Sequence, residues 1–486
     1  MLFNSYVFIL CFLPFTIIGY YGLNHWKREE EAKWLLIIAS LIFYGYFDVR
    51  YLPVILASIC FNYGFSRVLL DVKYEKYKRL VLVTGIACNV GLLFCIKYWN
   101  FFLENVNVIL GSSLEMKQLL LPLGISFFTF QQIAYLVDSY RGETAKYNFT
   151  DYTLFVTFFP KLSMGPITLH HQLIPAFNKK ESKKLDQSRL SLGIWWFAIG
   201  LAKKVLLADT LGKGVDFAYA NVELLGGMDV LVVSILYTLQ IYFDFSGYCD
   251  MASGIGEMFQ ISLPRNFNSP YKADSITEFW NRWHMTLSGF LQKYIYFPLG
   301  GSRKGMTRSI LNILIVFLIS GIWHGAAWTF MVWGMLHGLA RVLHKVFQKQ
   351  WDRVPKVIRW FMTFTFLNFT WVFFRAENLT QAGTLLKKLF TSFEWELQSG
   401  LLQQFDVLEF TYIEEHVGLL TNIVRACPQI HLYIVMGSAL MIALIPKNLY
   451  EKKFKPGMGN ALISVILLVW CILSFSGVSS FLYFNF

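Results

Sequence analysis

The chain has 486 residues, 55% hydrophobic and 18% aromatic but only 15% charged, with a mean hydropathy of +0.46 and a formal net charge of +12. Soluble globular chains carry roughly 25% charged residues, so a soluble enzyme is excluded and an all-α polytopic membrane protein is indicated. The positive charge is not a nucleic-acid signature: Lys and Arg sit in short clusters between apolar runs, as cytoplasmic loops do under the positive-inside rule.

A bilayer crossing needs about 20 mainly apolar residues. In chain order the predicted crossings are 4–22, 33–47, 51–66, 79–96, 119–138, 189–208, 230–248, 358–375, 433–447 and 460–477. The first has no basic leader and no small-residue cleavage site, which reads as a retained helix. Basic loops occur at 67–79, 177–189, 265–308, 341–359 and 447–455; those at 97–118, 209–229 and 378–432 are mixed or acidic, with no Lys or Arg from Leu389 to Val424. Placing the basic loops in the cytoplasm puts both termini outside. It also makes 378–432 an extracytoplasmic loop, either a cap or docking surface or an ordinary long connection. No internal repeat or low-complexity linker divides the chain, which reads as a single membrane domain over 1–486. None of its seven cysteines forms a Cys-x-x-Cys pair, so no disulfide framework or zinc ribbon is expected.

Two segments break the alternation. Residues 152–170 start and end on the cytoplasmic side and are interrupted at Pro160 and Gly165-Pro166, as in a broken or re-entrant helix. The stretch 309–340 also joins two basic loops yet is short for two full crossings, and it carries His324 near its middle. Irregular backbone at membrane depth is tolerated only where it is buried or lines a cavity. Both segments therefore point to an internal cavity.

Within that frame the candidate chemistry centres on His324, set between Trp323 and Gly325 with Trp328 expected one turn later on the same helical face. An imidazole in apolar surroundings is expected to be neutral and able to take a proton from an attacking alcohol. Gly321 and Gly325 allow close backbone approach there. The bland alternative is a histidine bonded to a neighbouring helix. His284 follows Glu278-Phe-Trp-Asn-Arg-Trp and would orient His324 or line a channel; an interfacial helix anchored by Trp280 and Trp283 explains the aromatics but not the Asn, Arg and His together. Asn281 is a candidate donor to a developing oxyanion. Arg282, Lys293, Arg303, Lys304 and Arg308, with Lys272, lie on the cytoplasmic side, where a phosphate-rich cofactor such as coenzyme A would find charge, although positive-inside bias accounts for each singly. Asp244, Ser246, Tyr248 and Asp250 end a predicted crossing, where substrate contact competes with helix capping.

Other chemistries lack their signatures. Ser246 is not in a Gly-x-Ser-x-Gly elbow, no His-Glu-x-x-His occurs, and there is no Walker A loop or dinucleotide fingerprint. His170 and His171 are adjacent and within a helix could not face one metal, so no metal is expected.

Several blocks in consistent order resemble the alginate O-acetyltransferase branch of the membrane-bound O-acyltransferases. They are MLFNSYVFILCFLPF, PLGISFFTFQQIAYLVDSYRGE, FFPKLSMGPI, YFDFSGYCDMASGIGEMFQISLPRNFNSPY, FWNRWHMTLSGFLQKYIYFPLGGSRKG, the Trp-His-Gly at 323–325 and FFRAENLTQA. The resemblance implies a ring of about ten or more transmembrane helices, with broken helices, around a central catalytic channel. It maps the family's catalytic histidine onto His324 and a second histidine onto His284. It further implies a multi-pass protein of the cell membrane that uses cytoplasmic acetyl-CoA as a donor substrate and holds no permanent cofactor. The acetyl group would pass to an extracytoplasmic partner acetyltransferase or directly to a surface polysaccharide such as alginate or peptidoglycan. The sequence departs mildly from the family pattern at Met285-Thr286 and Gly289. Rival readings are D-alanyl or other acyl transfer to teichoic acid or lipid, a transporter without chemistry, and a scaffold for a soluble acetyltransferase.

Overall fold

The computed structural model describes residues 1–117, 121–417, 424, 426–452, 454–475 and 480–482. Their regular structure is helical throughout, and eight helices are long and apolar enough to cross a membrane. The predicted crossings 119–138 and 460–477 lie partly outside the described residues, as does part of the 378–432 loop. All seven cysteines are free thiols.

The chain forms two compact units, each assembled from separated stretches. The first comprises Met1–Leu201, Tyr248–Arg265 and the 454–484 stretch; the second comprises Ala202–Gly247 and 266–453.

The first unit begins with α1 (Val7–His25), α2 (Glu29–Gly45), α3 (Val49–Leu69) and α4 (Val72–Leu110). The fourth runs past the predicted end at residue 96 through a π-helical stretch at Phe94–Tyr98, so 97–110 is helix and not loop. Side chains such as Phe15 and Val108 stay exposed, as lipid-facing positions do. After α5 (Ile125–Tyr140) the expected broken segment follows: α6 (Phe149–Thr157), α7 (Phe159–Leu162) and α8 (His170–Phe177). Asn148 caps α6 by accepting the Asp151 N–H at 2.7 Å, and Pro160 sits in the first turn of α7, where its missing N–H costs nothing. Buried Lys33 of α2 holds the segment, reaching Asp151 at 2.9 Å and Asn178 at 2.8 Å, with Glu30 as its third acceptor at 2.9 Å. All three ammonium N–H groups therefore have partners, which a buried charge requires.

The helices α9 (Gln187–Ala220) and α10 (Gly227–Met258) supply residues to both units. The 32-residue α10 is longer than predicted and corrects the capping alternative: Asp244, Ser246, Tyr248 and Asp250 lie inside a continuous, buried helix and cap nothing. Asp244 instead pairs with Lys204 at 2.8 Å, which also reaches Asp209 at 2.7 Å.

The second unit adds α11 (Ile276–Arg282), α12 (Met285–Leu291), α13 (Gly305–His324), α14 (Trp328–Val346), α15 (Lys356–Arg375), α16 (Leu379–Thr391) and α17 (Ile430–Glu451), while α18 (Met458–Leu473) returns to the first. Here the structure corrects two expectations. The 309–340 stretch is an antiparallel hairpin of helices of 20 and 19 residues, each about 30 Å long, because helix continues into polar residues at both ends. His324 is the last residue of α13, and Gly325 and Ala327 are extended, so Trp328 opens a new helix, 53% exposed, and does not share a face with His324. Small residues let the hairpin close: a Cβ on Gly321 would lie 2.4 Å from the Phe330 carbonyl, and one on Gly334 2.5 Å from that of Phe317.

Candidate active site

Two breaks in helix bring the predicted histidines together. His324 ends α13, and His284 sits between α11 and α12 in the left-handed region, at φ 45° and ψ 50°. A non-glycine residue held there costs on the order of 1–3 kcal/mol, so the surroundings must impose it. They do so through Asn266, whose carbonyl accepts the Met285 N–H at 2.9 Å. Its side-chain oxygen accepts the Thr286 N–H at 3.2 Å and the Thr286 hydroxyl at 2.8 Å. Thr286, one of the departures from the family pattern, is thus part of the clamp.

These contacts also fix a tautomer. Since the Thr286 N–H must donate, the Asn266 atom it meets is the amide oxygen. The His284 Nδ1 at 3.2 Å from that oxygen therefore carries the proton, and Nε2 keeps its lone pair. That Nε2 is fully buried and meets no hydrogen-bond partner among the described residues. His284 lies outside the apolar spans, and burial pushes its imidazole down to about 3, so it stays neutral at working pH.

The two imidazole rings lie 6.4 Å apart. Around His324 stand Trp323 at 4.9 Å, Trp333 at 5.1 Å and Phe374 at 5.2 Å, all near edge-on, and Phe245 packs on His284 at 4.8 Å. These rings give both imidazoles apolar, aromatic surroundings.

The second unit holds a cavity of about 410 Å³, within the usual range for small-molecule sites; neither histidine is among its lining residues. One wall is a stripe of α13, Ile313, Val316, Phe317 and Ser320; the next residue on that face is His324, one turn on. Trp280 of α11 forms another wall. At the other end Arg341, His344 and Lys345 of α14 provide cationic and polar lining. Arg341 donates to the Thr277 hydroxyl and Lys345 to that of Ser309. The cavity thus has cationic and polar groups on α14 and an apolar stripe on α13.

Of the residues singled out in the sequence, His284, His324 and Trp323 come together, and Asn281 lines the cavity as an exposed side chain. Asp244 is held in its ion pair beside Phe245, and Tyr248 falls in the first unit, its hydroxyl 2.5 Å from that of Ser163. The five basic candidates are not among the cavity's lining residues. Arg282 pairs with Glu278 at 2.7 Å, Lys293 lies over Tyr294, and Arg308 donates to the Leu299 carbonyl, while Arg303 and Lys304 are exposed in the turn before α13. Arg341, His344, Lys345 and Asn266 were missed. The first three had a signal: positions 341, 344, 345 and 348 repeat at helical spacing, which marks a face and not a loop.

Comparison with known proteins follows the same lines. The family model for membrane-bound O-acyltransferases matches residues 23–380. The chain is 40% identical to the peptidoglycan O-acetyltransferase of Helicobacter pylori, covering 100% of this chain and 98% of the relative. It is 37% identical to a probable alginate O-acetylase of Azotobacter vinelandii, over 82% of this chain and 79% of that one. It is 28% identical to the teichoic acid D-alanyltransferase of Bacillus subtilis over 48% of this chain and 61% of the relative. The chain belongs to the membrane-bound O-acyltransferase family, as a multi-pass membrane acyltransferase.

Proposed function

We propose that the protein is an O-acetyltransferase of the cell envelope, moving acetyl from cytoplasmic acetyl-CoA to a glycan hydroxyl, with peptidoglycan the first candidate acceptor. The observation that carries this reading is the end-to-end match to a peptidoglycan O-acetyltransferase. The cavity supports it: phosphates of the donor would meet Arg341 and Lys345, and the thioester arm would follow α13 towards His324. From Ser309 to His324 that path is roughly 22 Å at 1.5 Å per residue.

In the proposed step the acceptor hydroxyl gives its proton to His324 as its oxygen attacks the thioester carbonyl. The C–O bond forms, the C–S bond breaks, and the leaving thiolate takes the proton back. His284, its ring 6.4 Å from that of His324 and its Nε2 unengaged by any described residue, would orient the reacting hydroxyl. The hydroxyl belongs either to the glycan or to an extracytoplasmic partner acetyltransferase that completes the transfer.

The half-length similarity to a teichoic acid D-alanyltransferase keeps D-alanyl transfer as a second reading. One experiment separates them: alkali-released acetate and D-alanine are measured from the cell envelope of a deletion strain carrying the native gene or His324→Ala. Acetate restored by the native chain alone supports the proposal. Equal restoration by both removes His324 from the chemistry, and a change in alanine without acetate selects the second reading.

A further inference from the structure

A second constellation lies in the first unit, among residues that the proposed transfer does not use. Asp138, His170 and His171 each present a ligand atom, and these atoms lie within 4.8 Å of one another. We propose that they form a binding site for one divalent ion of the zinc type.

His170 and His171 are the first two residues of α8, which follows Leu169 in extended conformation. Their rings meet edge to face at 5.3 Å, and a ligand atom of each lies within 4.8 Å of the others and of Asp138's, contrary to the expectation that adjacent histidines in a helix could not share an ion. His170 Nε2 lies 3.1 Å from Asp138 Oδ2. Two ligands each about 2.1 Å from a tetrahedral zinc sit roughly 3.4 Å apart, so the spacing suits chelation with little movement. Thr144 Oγ1, 3.1 Å from His170 Nδ1, supplies the outer partner that turns Nε2 towards the ion.

The setting is built and not incidental. The Asp138 and His170 side chains are 0% and 1% exposed, with the rings of Tyr135 and Tyr147 at 5.4 and 5.8 Å from that of His170. His171 is exposed and gives the ion its entrance. Three protein ligands leave a fourth position for water. Asp138 lies near the end of α5 and His170 opens α8, so the ion would clip together the two ends of the stretch containing the broken α6–α7 segment. Closing a loop of that length restrains it chiefly by removing chain entropy.

The test uses the full-length protein in detergent, stripped with chelator and titrated with zinc chloride against a chromophoric chelator. About one ion per chain is expected, with a rise in thermal midpoint on binding. His171→Ala, at an exposed position, should weaken zinc at least tenfold and abolish the rise; Thr144→Val should weaken it about 10- to 100-fold. His416→Ala, a control in the 378–432 stretch, should change neither. Absence of stoichiometric zinc, or equal affinity in His171→Ala, overturns the proposal and leaves Asp138 and His170 as a hydrogen-bonded pair.

Discussion

Lys33 in the first unit and His284 in the second are both buried polar side chains, and they are treated differently. Lys33 directs each of its three N–H groups at a named oxygen. His284 has one nitrogen committed to Asn266, while the other, equally buried, keeps a lone pair that no described group engages. Leaving a buried polar atom unmet costs about 1–3 kcal/mol, and the left-handed backbone at the same residue adds to that cost. A fold tolerates such expense where a ligand will supply the missing partner. Under the proposed function the first cluster serves stability and the second chemistry.

Mutations should separate the two roles. The largest effect is expected from His324→Gln, which should lower acetyl transfer by about 10³-fold while the thermal midpoint stays near native; a matching loss of stability would make His324 a structural residue. Asp151→Ala should do the reverse. Breaking one side of a buried pair costs about 3–5 kcal/mol, read as a lower unfolding midpoint, with turnover per folded molecule preserved. Arg341→Ala combined with Lys345→Ala should raise the KM for the thioester donor about 10- to 100-fold with kcat little changed, as loss of uniform binding does. The smallest effect belongs to Asn266→Ala. Releasing the His284 tautomer should lower kcat about tenfold, and Asn266→Asp, which can still accept from Nδ1–H, should recover part of it.

Much of this was legible in the sequence, for identifiable reasons. Apolar runs located most of the long apolar helices, because burying a backbone in lipid requires continuous helix; the predicted crossing 33–47 is the helix α2 but is not among the eight long and apolar enough to cross. The Pro160 and Gly165-Pro166 interruptions marked the broken segment correctly. Helix ends were harder to place. Hydropathy reports where a helix is apolar, not where it stops, so α4 ran on past Tyr98 and the α13–α14 hairpin extended into charged residues at both ends. The break at Gly325-Ala-Ala was hidden because alanine reads as helix, and this misplaced Trp328. Asn266 was out of reach for a different reason: its contacts with His284 and Thr286 span 18 to 20 residues and depend on a fold, not a spacing. Arg341 and Lys345 were passed over because charge beyond an apolar run reads as loop.

The touching backbones at Gly321 and Gly334 make α13 a fixed ruler. Helices packed this closely cannot slide past one another without collision, so under the proposed function the distance from Arg341 and Lys345 to His324 would be set before any substrate arrives. A donor whose arm is a few bonds too short would anchor its head and leave its carbonyl stranded, and one too long would press into Trp333 and Phe374. Selection of the donor would then be a matter of length measured along one helix, decided by rigidity and not by any single contact with the acyl group.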